Sequence, residues 1–201
     1  MTTESSRFKD AIARFDAANA EDPNKEMFEG KEYHKEVLYA ERMTAWLNKF
    51  EPNASEALKL AARAQHICRW KTPRSDYPMN RKGYNDWRTT LAKFHGDTAA
   101  AIMKQVGYDD AMCEKVRELL LKDRIKLEDP DGQTLEDVIC LVFLEYYFVP
   151  FAPHYSEPKL ISIVQKTWKK MSERGHEAAL TLAPLWPEDL LEKVKKALTT
   201  A

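Results

Sequence analysis

Residues 55–70 read SEALKLAARAQHICRW, and the fold class turns on how they are read. Ala57, Leu60, Ala61 and Ala64 recur at three- and four-residue spacing behind a Ser55-Glu56 start, which predicts a helix from about Ser55 to Trp70. Small residues at that spacing let neighbouring helices approach closely, so this helix is expected at the centre of the fold. Pro52-Asn53-Ala54 before it separates it from a helix over about Lys31 to Phe50, whose apolar face is Val37, Leu38, Met43, Trp46 and Leu47. Further upstream, Glu21 to Glu26 reads as a polar turn. Phe8, Ile12 and Phe15 define a first helix behind a Ser5/Ser6 cap.

Downstream of Trp70 the periodicity stops. Pro73, Pro78, Asn80 and Gly83 mark an ordered loop over Lys71 to Gly83. Helices are then expected from about Tyr84 to Val106, Asp110 to Arg124, Leu135 to Phe148, Pro158 to Arg174 and Pro187 to Leu198. Asp109 or Asp110 is the expected N-cap of the second of these, and Thr134 of the third, which Glu136-Asp137 opens. Leu141 to Phe148 has strand propensity, but its place behind an acidic start in a helical chain favours buried helix. No long stretch alternates with period two, and no repeat is visible. The expectation is an all-α, single-domain multi-helix bundle over residues 1–201, with its core at about 7–182 and a C-terminal helix within 183–201.

Composition narrows the function classes. Of 201 residues, 44% are hydrophobic and 31% charged, with 31 basic against 32 acidic side chains and a net charge of −1. Such a balance gives no global attraction to nucleic acid or to an anionic membrane, so any basic site is local. Cys68, Cys113 and Cys140 form no Cys-x-x-Cys pair and read as reduced, buried thiols. Met1 to Arg7 lacks an apolar segment, which predicts no signal peptide. The longest apolar run, Val138 to Phe151, is broken by Glu145 and is too short to span a bilayer. A cytoplasmic location is expected.

Two constellations carry possible chemistry. Residues 66–88, HICRWKTPRSDYPMNRKGYNDWR, interleave cations with aromatics. Arg69, Arg74, Arg81 and Arg88 are suited to two-point binding of phosphate or carboxylate, and Trp70, Tyr77, Tyr84 and Trp87 to stacking on a planar ring. The expected ligand is an anionic small molecule or a nucleotide. The alternative is that the arginines pair with acidic neighbours while the aromatics roof the core. The second constellation is His34, His66 and His95 with Asp137. Imidazoles plus a carboxylate are a transition-metal ligand set, here without tight spacing. Against it, a lone helical histidine is commonly a hydrogen-bonded structural residue, and Asp137 complements a helix dipole. Cys68 and His66, two apart on a helix, do not face each other.

His66-Ile-Cys-Arg and Lys170-Met-Ser-Glu-Arg look like fragments of the signature motifs of class I aminoacyl-tRNA synthetases. Those motifs require an α/β fold with a parallel sheet, for which this chain has neither strands nor length. A glutamyl-tRNA-synthetase-type label would be spurious.

Ala61 to Trp70, Tyr77-Pro78, Arg81-x-Gly-Tyr-x-x-Trp-Arg, Phe94-His95, Leu135 to Val138, Cys140 to Glu145 and Thr167 to Ser172 together resemble the domain-of-unknown-function 4202 family. The resemblance runs from about Arg7 to Leu182 and implies no established reaction. A more distant likeness is to the HD-domain superfamily of helical metal-dependent phosphohydrolases. Tyr39-Ala-Glu-Arg-Met is similar to its first helix, Ala61 to Ile67 to the helix of its His-Asp doublet, and Asp137 to its last aspartate. Tyr39 stands in place of the first histidine and Ile67 in place of the doublet's aspartate. His66 and Asp137 remain, with Glu41, His34 or His95 as candidates to complete the set.

Three functions follow as expectations. The first is an HD-like hydrolase of a phosphorylated small molecule or nucleotide, with His66, His95, Asp137 and Glu41 holding a divalent metal that activates water. In the second, the arginine and aromatic groups bind an anionic metabolite without catalysis. The third is a helical adaptor whose exposed aromatics contact another protein. Trp168, Trp186 and the C-terminal helix are free to pack at home or on a second copy. RNA binding is disfavoured, because stacking aromatics without a net basic surface bind weakly at physiological salt.

Overall fold

A computed structural model describes residues 5–122 and 129–199. Among them the chain is helical apart from one two-stranded hairpin. It divides into two compact units, residues 1–135 and 136–201. No described helix is long and apolar enough to cross a membrane.

In the first unit, helix α1 spans Ser6–Asn19, strands β1 and β2 span Lys25–Phe28 and Lys31–His34, and helices α2 to α5 span Lys35–Phe50, Glu56–Ala64, Arg81–Gln105 and Asp110–Leu121. Of the alternatives, Ser5 and Asp109 are the caps, and Ser55 caps α3: each side chain accepts from the backbone N–H three residues on. Such caps satisfy helix donors that otherwise lack partners.

Helix α3 is central, as its alanines require. Ala57, Leu58, Leu60, Ala61, Ala62 and Ala64 are all buried, and α3 packs on α1, α2 and α5. Arg63 ties the three N-terminal helices together. It donates to both carboxylate oxygens of Asp16 at 2.7 Å and to Thr44 Oγ1 at 3.1 Å.

Two expectations give way here. The helix placed from Lys31 begins at Lys35, and Lys25 to His34 instead form an antiparallel hairpin with Lys25 opposite His34. Its two-residue turn, Glu29-Gly30, has φ of +50° and +77°. Positive φ at both positions matches the twist of paired strands, and Gly30 adopts it without steric cost. The helix expected to reach Trp70 ends at Ala64. Cys68 takes a left-handed conformation, φ +52°, held by a hydrogen bond from its N–H to Oδ1 of buried Asn19 at 2.9 Å. A short 3-10 turn, Arg69–Lys71, follows.

In the second unit, helix α6 (Pro130–Val142, beginning within the first unit) continues through a π-helical turn at Phe143–Tyr147 into the short α7, Phe148–Phe151. Thr134 thus lies inside a helix and does not cap one. Helices α8 to α10 are Glu157–Trp168, Glu173–Leu180 and Glu188–Thr199. Trp186 packs edge-on against Phe148 with ring centroids 5.5 Å apart and donates its indole N–H to Leu144 O at 3.1 Å. The expected end of the Asp110 helix near Arg124 lies outside the described residues.

Candidate functional site

The polar centre of the first unit forms where the broken end of α3 meets α2 and α4. Glu36 and Tyr39, one turn apart on α2, present their side chains inward. The left-handed Cys68 turns the chain so that His66 and Arg69, on either side of it, join the same cluster. Imidazole Nδ1 of His66 lies 3.3 Å from Oε2 of Glu36. Tyr39 stacks on the His66 ring at 3.8 Å and 12°. His95, from α4, stands 6.0 Å from His66, centroid to centroid. Nδ1 of His95 is 2.8 Å from Ile67 O, so that nitrogen carries the proton and donates.

Asp22 fixes the approach of Glu36. Its buried carboxylate accepts from Glu36 N at 3.2 Å and from Asn24 N and Nδ2 at 2.9 and 2.8 Å. The hairpin is anchored over α2 by the Arg42–Glu26 ion pair and by Arg42 lying on Phe28.

Burial sets the charge state. Loss of solvent raises the Glu36 carboxyl to about 7, more than Arg69 pulls it down. The same loss of solvent drives His66 well below its usual range, helped by Arg69, Lys122, Lys35 and Arg88. It takes His95 down to about 3, with His66 adding to the effect and the Ile67 hydrogen bond opposing it. Both imidazoles are therefore neutral at physiological pH, Glu36 is near its midpoint, and Arg69 supplies the permanent charge. His66 keeps 24% of its side-chain surface open, while Glu36 keeps 6%.

The expected arginine–aromatic pocket is divided. Arg69 joins the centre and lies 4.9 Å over Trp87, whose indole N–H donates to Thr72 O at 2.9 Å. Arg74 is a loop fastener, donating to Tyr77 O and Pro78 O at 2.8 Å each. Trp70 and Tyr77 are half-buried. Arg81, Tyr84 and Arg88 are exposed on the first turns of α4, with Arg88 6.0 Å above Tyr84.

The metal set implied by the HD likeness is not assembled. Among the described residues, no group of three or more His, Cys, Asp or Glu is placed to hold a metal ion. Glu41 faces solvent, and the carboxylate that meets His66 is Glu36. His34 faces the hairpin, with Nδ1 2.8 Å from Asp22 O and its ring beside Lys25. Asp137 belongs to the second unit, where it accepts from Ser172 N and Oγ at 2.8 and 2.6 Å. It thereby holds the residue that caps α9. A cavity of about 470 Å³ lies apart from the centre, between α4 and α5. Its charges are already paired, Lys104 with Asp110 and Arg117 with Asp97, each at 2.8 Å.

Glu36 escaped the sequence reading because a helix begun at Lys31 puts it mid-helix, where a lone carboxylate beside the apolar face reads as a solvated side chain. The signal lay in its phase: Glu36, Tyr39 and Met43 share one stripe, and the other two are apolar.

Compared with known families, residues 9–193 match the one described as a domain of unknown function, DUF4202. The chain belongs to that family. No curated protein and no solved structure matches the chain. The DUF4202 match takes in every residue of the centre, from Asp22 to His95.

Proposed function

We propose that this DUF4202 protein is a hydrolase of a phosphorylated small molecule or nucleotide, working from the Glu36–His66–Arg69 centre without the metal set of the HD superfamily. One observation carries the reading: a carboxylate and an imidazole 3.3 Å apart in a largely buried cluster whose permanent cation is Arg69.

The chemistry follows from that contact. Ionised Glu36 accepts the Nδ1–H of His66, which leaves Nε2 as the basic nitrogen. That nitrogen takes a proton from water as the water oxygen bonds to phosphorus, and the ester P–O bond breaks. The proton passes on to the leaving alkoxide. Arg69, with Arg88 further out, neutralises the phosphoryl oxygens. No step runs through a metal, because among the described residues no ligand set is placed to hold one.

Release of inorganic phosphate from sugar phosphates and nucleoside monophosphates tests this. Turnover is expected to rise with pH through about 7 as Glu36 loses its proton. In His66→Gln it is expected to fall by about 10²- to 10⁴-fold. Equal turnover in the variant and the wild type contradicts the reading.

A second reading, binding of an anionic metabolite without turnover, is favoured by His95. Its Nδ1 is fixed on the Ile67 carbonyl at 2.8 Å and its buried Nε2 is left as an acceptor, which suits recognition of a donor on a ligand. Phosphate binding without release, unchanged by His66→Gln, is the outcome that selects it.

A further inference from the structure

Nε2 of His95 is buried and has no hydrogen-bond partner among the described residues, in a residue only 4% exposed. Nδ1 on the other side of the ring donates to Ile67 O at 2.8 Å. The tautomer is therefore fixed: Nδ1 bears the hydrogen and Nε2 holds a lone pair. A buried acceptor without a donor is costly and rare in native proteins, and it calls for an explanation. Among the described residues no donor stands within hydrogen-bond reach of it. His66, 6.0 Å away by ring centroid, is engaged with Glu36, and the Arg69 guanidinium lies over Trp87.

We propose that His95 Nε2 is a specificity-determining acceptor that reads a hydrogen-bond donor on the ligand, so that the centre selects phosphorylated compounds carrying a hydroxyl or amino group beside the phosphate. This rests on the phosphate reading above and narrows it. Arg69 takes the anionic end, and His95 takes an O–H or N–H a few bonds away. A site built around such an acceptor discriminates strongly against an analogue lacking the donor, because the acceptor is then left buried and unpaired. An apolar phosphate ester of the same size therefore binds more weakly at this centre than its hydroxylated counterpart.

Calorimetric titration of the full chain separates the possibilities, with sn-glycerol 3-phosphate against n-propyl phosphate and O-phosphoethanolamine against ethyl phosphate. Glycerol 3-phosphate is expected to bind at least about 10-fold more tightly than propyl phosphate, and the gap is expected to close in His95→Leu, which removes the acceptor and keeps an apolar side chain. The amino pair shows whether the donor read is O–H or N–H. The wild type supplies an independent readout that needs no variant. In ¹⁵N spectra of labelled histidine, the His95 Nε2 resonance should move upfield on addition of glycerol 3-phosphate and stay in place with propyl phosphate. Equal binding of donor-bearing and donor-free esters, or discrimination that persists in a folded His95→Leu, overturns the inference and leaves the phosphate reading standing. Binding by none of the four esters overturns the phosphate reading, and the inference with it. An unmoved Nε2 resonance alongside tight binding assigns the lone pair to a buried water and also overturns the inference.

Discussion

Nδ1 of His66 sits 3.3 Å from Oε2 of Glu36, and burial makes this a largely neutral pair and not a salt bridge. A carboxyl raised to about 7 beside an imidazole driven below its usual range keeps the proton on the acid until neutral pH. Above that, the carboxylate forms and orients the imidazole. The same contact therefore sets how the charge of the centre responds to pH.

The pH dependence of stability follows with opposite signs for the two kinds of group. Glu36, raised in the fold, contributes stability that is full below about 4.5 and is lost as pH rises through about 7. His66 and His95, lowered in the fold, cost stability as pH falls below 6.5, where the unfolded imidazoles take up protons. Two histidines outweigh one carboxyl on the acid side, so this cluster places maximal stability at about pH 6.5. In Glu36→Gln the alkaline limb should vanish, leaving a plateau above about 6.5, with a gain at pH 8 on the order of 3 kcal/mol at most. Thermal melts from pH 5 to 9 on both proteins read this directly.

Asp137 is expected to act on stability and not on ligand affinity. Asp137→Ala removes the acceptor of Ser172 N and Oγ and should cost roughly 1–3 kcal/mol. Thermal melts should show a drop of a few degrees, while calorimetry returns an unchanged affinity for inorganic phosphate. A loss of affinity without a change in melting temperature would assign Asp137 to the site.

Gly83 is fixed by space. A Cβ there would stand 2.2 Å from Pro78 O, so the start of α4 and the loop before it touch backbone to backbone. Gly83→Ala should destabilise by about 1–3 kcal/mol and loosen the loop that Arg74 fastens. Faster amide exchange at Tyr77 to Tyr84 is the readout.

The helical class was legible because amphipathic stripes and caps are local signals, and Ser5, Ser55 and Asp109 sit where their side chains can accept. The hairpin was not. Its strands are four residues long and rich in Lys and Glu, which leaves only Glu29-Gly30 to announce it. The break after Ala64 was hidden for a different reason: no Gly or Pro marks it, and the left-handed Cys68 is held by Asn19, 49 residues away. That long-range contact is also what gathers His66 and Arg69, so the candidate site was legible as a list of residues more than as an arrangement. Glu36 entered and Glu41 left on helical phase alone. Arg81, Tyr84 and Arg88 were counted inside because their residue types suit a ligand, yet the first turns of α4 stand in solvent.

Carbon-13 NMR titration of the Glu36 side-chain carboxyl, assigned by comparison with Glu36→Gln, measures the centre without requiring a substrate. The expected midpoint is near 7, with the His66 ring nitrogens responding to the same transition while the ring stays neutral. A Glu36 midpoint near the ordinary 4.5, with His66 protonating independently near 6.5, would contradict it.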